Sequence, residues 1–126
     1  MLSLNELEKA VLAQMLRQAS GDLLDLLREQ IEGVSVVGRK NTGAGFFTEL
    51  KVKQFSRPIE AKVIEEDVCA DIEGFDHPMS FLLFVRNGAI QTLEGVAMAD
   101  STVDTDFSNV RFVVWPCSIP VFTKSV

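Results

Sequence analysis

Phe81-Leu82-Leu83-Phe84-Val85-Arg86-Asn87-Gly88-Ala89-Ile90-Gln91-Thr92-Leu93-Glu94-Gly95-Val96 is the stretch whose reading decides the fold. Two runs of strand composition flank Asn87-Gly88. That dipeptide tolerates positive φ at both central positions of a type I′ turn, so the stretch predicts a tight antiparallel hairpin. The first run is apolar on both faces, which predicts a central strand covered above and below, with Phe84 and Val85 nearly fully buried. A two-residue turn pairs Arg86 with Ala89 and, in unbroken register, Phe81 with Glu94. Glu94 then lies beside Phe81, Leu83 and Thr92, and a carboxylate among apolar neighbours acquires the raised pKa of a general acid. Two blander readings stand beside this one. Glu94 reaches solvent or accepts backbone hydrogen bonds at the strand end, or a β-bulge turns it to the other face.

Outward from the hairpin, the period of two continues in both directions. Upstream, Val68, Ala70 and Ile72 alternate with Cys69, Asp71 and Glu73. From Phe46 to Phe55, the residues Phe46, Thr48, Leu50 and Val52 share one face, while Glu49, Lys51 and Lys53 take the other. Each pattern predicts a strand covered on one side. Val34 to Arg39 reads as a further strand, and residues 41–45 (Asn-Thr-Gly-Ala-Gly) as a turn. Downstream, residues 99–109 form a polar loop. Arg111–Trp115 and Ile119–Phe122 read as closing strands, which Pro116 and Pro120 confine to sheet edges.

Before Gly33 the period is helical. Ser3 and Glu6 have capping-box spacing, and Leu4, Leu7, Val11, Met15 and Ala19 follow as an apolar stripe. Ser20-Gly21-Asp22 breaks this helix and opens a second, with Leu23, Leu24, Leu27 and Ile31 inward and Gly33 as its stop. Helices at about 3–19 and 22–32 followed only by strands predict an α+β domain over 1–126. Two N-terminal helices pack on a mainly antiparallel sheet of five or six strands.

Two blocks carry a family resemblance: Thr42-Gly43-Ala44-Gly45-Phe46-Phe47-Thr48, and Phe81 to Gly88 running on to Leu93-Glu94-Gly95. With the helical opening and the order of the blocks, the chain resembles a family of short, uncharacterised bacterial proteins over roughly residues 4 to 95. The resemblance implies this order of elements and carries no activity.

Composition narrows the function. The net charge of −6 opposes binding to a phosphate backbone, so no nucleic-acid partner is expected. The acidic balance suits solubility, or a partner with a basic surface. Cys69 and Cys117 lack CxxC spacing and read as free, reduced, buried thiols. The N-terminus has neither the basic start nor the apolar run of a signal peptide, and no stretch nears the ~20 apolar residues of a membrane span. The cytoplasm is expected, with no membrane association.

No catalytic residue, metal or cofactor is assigned. His77, the single histidine, sits in Asp76-His77-Pro78 and reads as a surface residue. Gly43-Ala44-Gly45 joins two strands and lacks the P-loop lysine and the further glycine of a dinucleotide site. Asp100, Asp104 and Asp106 lack EF-hand order. Glu65-Glu66-Asp67 reads as a solvated turn, or as a contact patch for a basic partner.

Two functions remain. The first is a non-catalytic interaction module of the immunity or inhibitor type, acting on a basic partner. The second is a small-molecule-binding or enzymatic domain with a helix–sheet pocket lined by Glu94, Thr92 and Thr48. A homodimer is also expected, because a small open sheet leaves edges to cover. It would form through an edge strand or the spare helix face, with Phe47 and Phe55 as apolar contacts.

Overall fold

Asn87 and Gly88 both adopt positive φ, 53° and 81°, and close the hairpin the dipeptide demands. The computed structural model describes residues 2–117. Within them, helices α1 (Glu6–Gln18) and α2 (Gly21–Glu32) precede β1 (Val34–Asn41), β2 (Gly45–Val52), β3 (Val63–Ile72), β4 (Met79–Arg86) and β5 (Ala89–Ala97). A short 3-10 turn at Phe107–Asn109 leads to β6 (Phe112–Pro116). The strands form one antiparallel sheet in the order β1-β2-β5-β4-β3-β6. This is the α+β arrangement of two helices on an antiparallel sheet. The expected strand at Ile119–Phe122 lies outside the described residues.

Both helices pack on the same face of the sheet. Leu7, Val11 and Met15 of α1 and Leu27 of α2 join Leu50, Met79, Leu83 and Leu93 in one core. Helix α1 starts two residues later than the Ser3 cap predicts. Its N-cap is Asn5, whose side chain accepts from the Glu8 amide while Glu8 accepts from the Asn5 amide. The asparagine completes a reciprocal capping box: its side chain takes the Glu8 amide, and its own backbone N–H is taken by the Glu8 carboxylate.

The hairpin departs from regular register at one residue. Val85 pairs with Ile90 but Phe84 pairs with Thr92, so Gln91 is an extra residue in β5. Gln30, fully buried on α2, secures this bulge: its carbonyl oxygen accepts from the Ile90 amide and its amide donates to the Gly88 carbonyl, each at 2.8 Å. The turn also packs on the 53–62 loop, where the Ile59 amide donates to the Gly88 carbonyl.

Three expectations are corrected. Phe84 and Val85 are half-buried, not fully buried: Phe84 lies on the face that no described helix covers, and Val85, though it packs on the core, stands at the hairpin end of β4. β2 ends at Val52, which leaves Phe55 in the following loop, half-buried. Cys69 and Cys117 are joined in a disulfide, with Cα atoms 5.2 Å apart. Forty-eight residues separate them in sequence, but β6 lies against β3, pairs Trp115 with Cys69 and delivers Cys117 beside it. Sequence spacing cannot reveal that adjacency.

A Cβ on Gly88 would stand 2.4 Å from Pro58 Cβ, at a φ that β-branched residues avoid. Gly88→Val should therefore cost about 2 kcal/mol or more, read as a lowered midpoint in a thermal melt. Fresh protein should weigh two hydrogens less under non-reducing than reducing conditions. Replacing both cysteines with alanine should cost up to about 4 kcal/mol, the loop-closure value for a cross-link of this span.

Candidate functional site

Glu8, to which the sequence reading gave no role, is a charged side chain that the structure buries, at 1% exposure. Its position on the inner side of α1 sets it over β1 and β2, where Arg39 and Thr48 are paired neighbours facing the helices. Oε2 accepts from Arg39 Nε at 2.9 Å and from the Thr48 hydroxyl at 2.6 Å. Oε1 accepts from Arg39 Nη2 at 2.9 Å and from the Asn5 amide at 2.8 Å. The pair is bidentate, the geometry in which a guanidinium holds a carboxylate most firmly. Burial pushes the Glu8 carboxyl up. The hydrogen bonds from Arg39, Thr48 and Asn5, with the Arg39 charge, outweigh burial and hold it below its ordinary value. Both oxygens are committed, so the group serves as a joint between helix and sheet.

Beyond this joint lies a cleft of about 240 Å³, lined by Asn5, Arg39, Lys40, Asn41 and Phe46 on one side and by residues 105–108 on the other. The polar loop is held here by Asn41, whose amide donates to the carbonyls of Thr102 and Thr105. Thr102, fully buried, donates to Asn41 Oδ1 and accepts from the Gly45 amide. Asp106 is tied to the amide and hydroxyl of Ser108. Asp100 instead accepts from the amides of Asp76 and His77, bonds that hold its carboxyl below the usual range, with the His77 ring nearby. The described residues contain no group of three or more side chains that could hold a metal ion; Asp106 is spent on its own turn and Asp100 on the 76–77 loop.

The residues expected to share one pocket fall on opposite faces. Thr48 points at Glu8. Glu94 pairs with Phe47 and Leu82 on the face away from the helices, because the Gln91 bulge turns every later residue of β5 over. Thr92 shares that outer face and donates to Glu49 Oε1 at 2.6 Å. A shallow depression of about 320 Å³ beside it is lined by Val37, Glu49, Arg86 and Gln91. The outer face continues through Phe47, Val96, Leu82, Phe84, Val63 and Trp115, all half-buried. Val37 and Val113, at its two edges, are 58% and 64% exposed. The Trp115 indole N–H is shielded from solvent and has no acceptor among the described residues.

Compared with known proteins, the chain matches no family model, no curated protein and no solved structure. No helix among the described residues is long and apolar enough to cross a membrane.

Glu8→Gln keeps the shape of the joint but strips its charge, and should cost about 3 kcal/mol by leaving Arg39 poorly compensated. A carboxyl whose pKa is lower in the folded than in the unfolded chain adds stability that is complete above the unfolded pKa. That stability is lost as pH falls through the folded value. Denaturant melts should therefore show wild-type stability falling below the ordinary value of 4.5, with a shallower decline in Glu8→Gln. Equal slopes in the two proteins would remove the joint's role.

Proposed function

We propose that the protein is a non-catalytic interaction module of the immunity or inhibitor type, and that its working surface is the outer face of the sheet. The observation that carries this reading is a half-buried apolar row, Phe47, Leu82, Phe84, Val63 and Trp115, on a face that no described helix covers. Apolar side chains crowded on one sheet face mark a surface built to be covered. Glu49 and Glu94 stand among them and Asp71 at the margin, which with the net charge of −6 favours a partner carrying basic residues. The Cys69–Cys117 bond weighs towards an oxidising compartment and away from the cytoplasm expected from the N-terminus.

A second reading keeps a small-molecule role but moves it from Glu94 to the cleft in front of Arg39. Residues of both charges, Arg39 and Asp106, line that cleft, which suits a small zwitterion.

Site-specific photo-crosslinking separates the two. A benzophenone side chain at position 82 should capture one predominant protein of basic surface, and the same probe at Arg28, exposed on α2, should not. Equal capture from both positions, or none from position 82, would defeat the interaction reading. Protection of Lys40 and Phe107 signals by amino acids in NMR titration would then support the cleft.

A further inference from the structure

We infer that the cleft in front of Arg39 binds a free α-amino acid with a large apolar side chain, its carboxylate on Arg39 and Asn5 and its ammonium on Asp106. This rests on the second of the two readings above, that the cleft takes a small zwitterion, and names the class of that ligand.

Arg39 is a donor fixed in advance. Three of its five N–H bonds are spent, Nε on Glu8 Oε2 and Nη2 on Glu8 Oε1 and the Ser3 carbonyl. These contacts hold the guanidinium in place, and Nη1 donates to no described residue. The side chain is 31% exposed and lines the cleft. A group already ordered loses little freedom when a ligand arrives. Asn5 stands in the same wall. Its Oδ1 takes the Glu8 amide, while its Nδ2 donates to no described residue. Neighbouring unspent donors, one of them charged, suit a carboxylate.

The opposite wall supplies an acceptor. Asp106 Oδ1 takes the hydroxyl and the amide of Ser108, at 2.6 and 3.1 Å, and these bonds hold its carboxyl below its ordinary value. No described residue donates to Oδ2, which is left for an ammonium. The balance of charge argues against simpler ligands. Arg39 and Lys40 bring two positive charges to the cleft, and Asp106 and the Glu8 bonded to Arg39 bring two negative ones. With no net charge, the cleft has no general attraction for a bare anion or a bare cation. A neutral molecule with separated charges is matched at both walls.

Size and lining name the side chain. A cleft of about 240 Å³ is smaller than the ~300 Å³ at which drug-sized pockets begin, so its ligand is of amino-acid size. Where the walls meet, the rings of Phe46 and Phe107 stand 4.8 Å apart, tilted by 50°. Phe46 is buried, but Phe107 is only half-buried and lines the cleft. Its uncovered aromatic surface favours an apolar side chain, which gains by leaving water there, over none or a charged one.

The test is an NMR titration of the full chain, paired with calorimetry, to about 10 mM ligand, well past a millimolar affinity. The probes are L-phenylalanine, L-leucine, glycine and L-glutamate, with 3-phenylpropionate, which lacks the ammonium, and 2-phenylethylamine, which lacks the carboxylate. Phenylalanine and leucine should saturate, moving the amide signals of Arg39, Phe46 and residues 105–108 and leaving those of Leu82 and Trp115 in place. Glycine and glutamate should bind about tenfold more weakly or worse, and so should each compound lacking one charge. Arg39 also holds Glu8, so its contact is tested from the ligand's side, by 2-phenylethylamine. Asp106→Asn keeps an acceptor for Ser108 and should weaken phenylalanine about tenfold or more, with the thermal midpoint unchanged.

Phenylalanine binding that is indifferent to Asp106→Asn overturns the inference. If glycine binds as tightly as phenylalanine while both single-charge compounds bind weakly, the zwitterion reading stands and the apolar side chain falls. If a single-charge compound binds as tightly as phenylalanine, or nothing moves the cleft signals, both fall.

Discussion

Gln91 is one residue more than a regular pairing of β4 with β5 can hold, and the rest of the outer surface depends on where that excess is absorbed. The bulge sits between Phe84 and Val85 on the partner strand, next to the turn. Everything from Thr92 onward is therefore reversed relative to an unbroken hairpin. Leu93 enters the core, and Glu94 leaves it for the opposite face. Without the bulge, the core would have to accept Thr92 and Glu94 while Leu93 faced outward. The slip thus converts an unfavourable burial into a favourable one. Gln30 stabilises the irregularity by accepting from the Ile90 amide beside the bulge and by donating to the Gly88 carbonyl, which also accepts from Ile59. A glutamine within an otherwise apolar helix stripe finds its explanation there.

The Glu8–Arg39 pair performs a similar service at the other end of the sheet. Removing one partner of a buried ion pair leaves a charge in a medium that cannot solvate it, whereas the complete pair costs little. Here the carboxylate has four donors and no lone oxygen. Three of those donors come from different elements: the α1 cap, β1 and β2. The interaction is directional, so it fixes how α1 lies over the sheet in a way that the apolar contacts of Leu7, Val11 and Met15 alone do not. Glu8 also closes the Asn5 capping box, and the start of α1 and its docking are one event.

How much of this was legible in the residues divides along a physical line. Local signals read correctly: Asn87-Gly88 for the turn, alternation from Phe46 to Val52 for a half-covered strand, and Leu7, Val11 and Met15 for the buried side of α1. Each rests on a period or a steric preference carried by neighbours in sequence. Pairings that the fold creates between distant residues did not read. Arg39 looks like any strand-end cation until β1 lies beneath α1, and Cys117 like any loop thiol until β6 lies beside β3. The Asn5-to-Glu8 capping box was present as a local signal but was outweighed by the serine two residues earlier. Glu94 shows the third kind of difficulty. Its neighbours are correct to within one residue, and with a period of two one residue decides the face.

The doubly apolar run at 81–85 carries the most functional meaning when its two faces are considered apart. Phe81 and Leu83 meet the helices, which accounts for one set. Leu82 and Phe84 have no counterpart in the described chain. Leaving them half-covered costs free energy that no local propensity recovers, since strand formation needs only one apolar face. The two edges of the sheet are treated differently: β6 ends in Pro116, and β1 presents Lys40 and a bulge at Val37, devices that discourage pairing with a stray strand. The fold thus protects its edges against addition and leaves its broad face apolar. That division is what the proposed interaction surface would require, and on the same face stands the sole tryptophan, its N–H without an acceptor among the described residues.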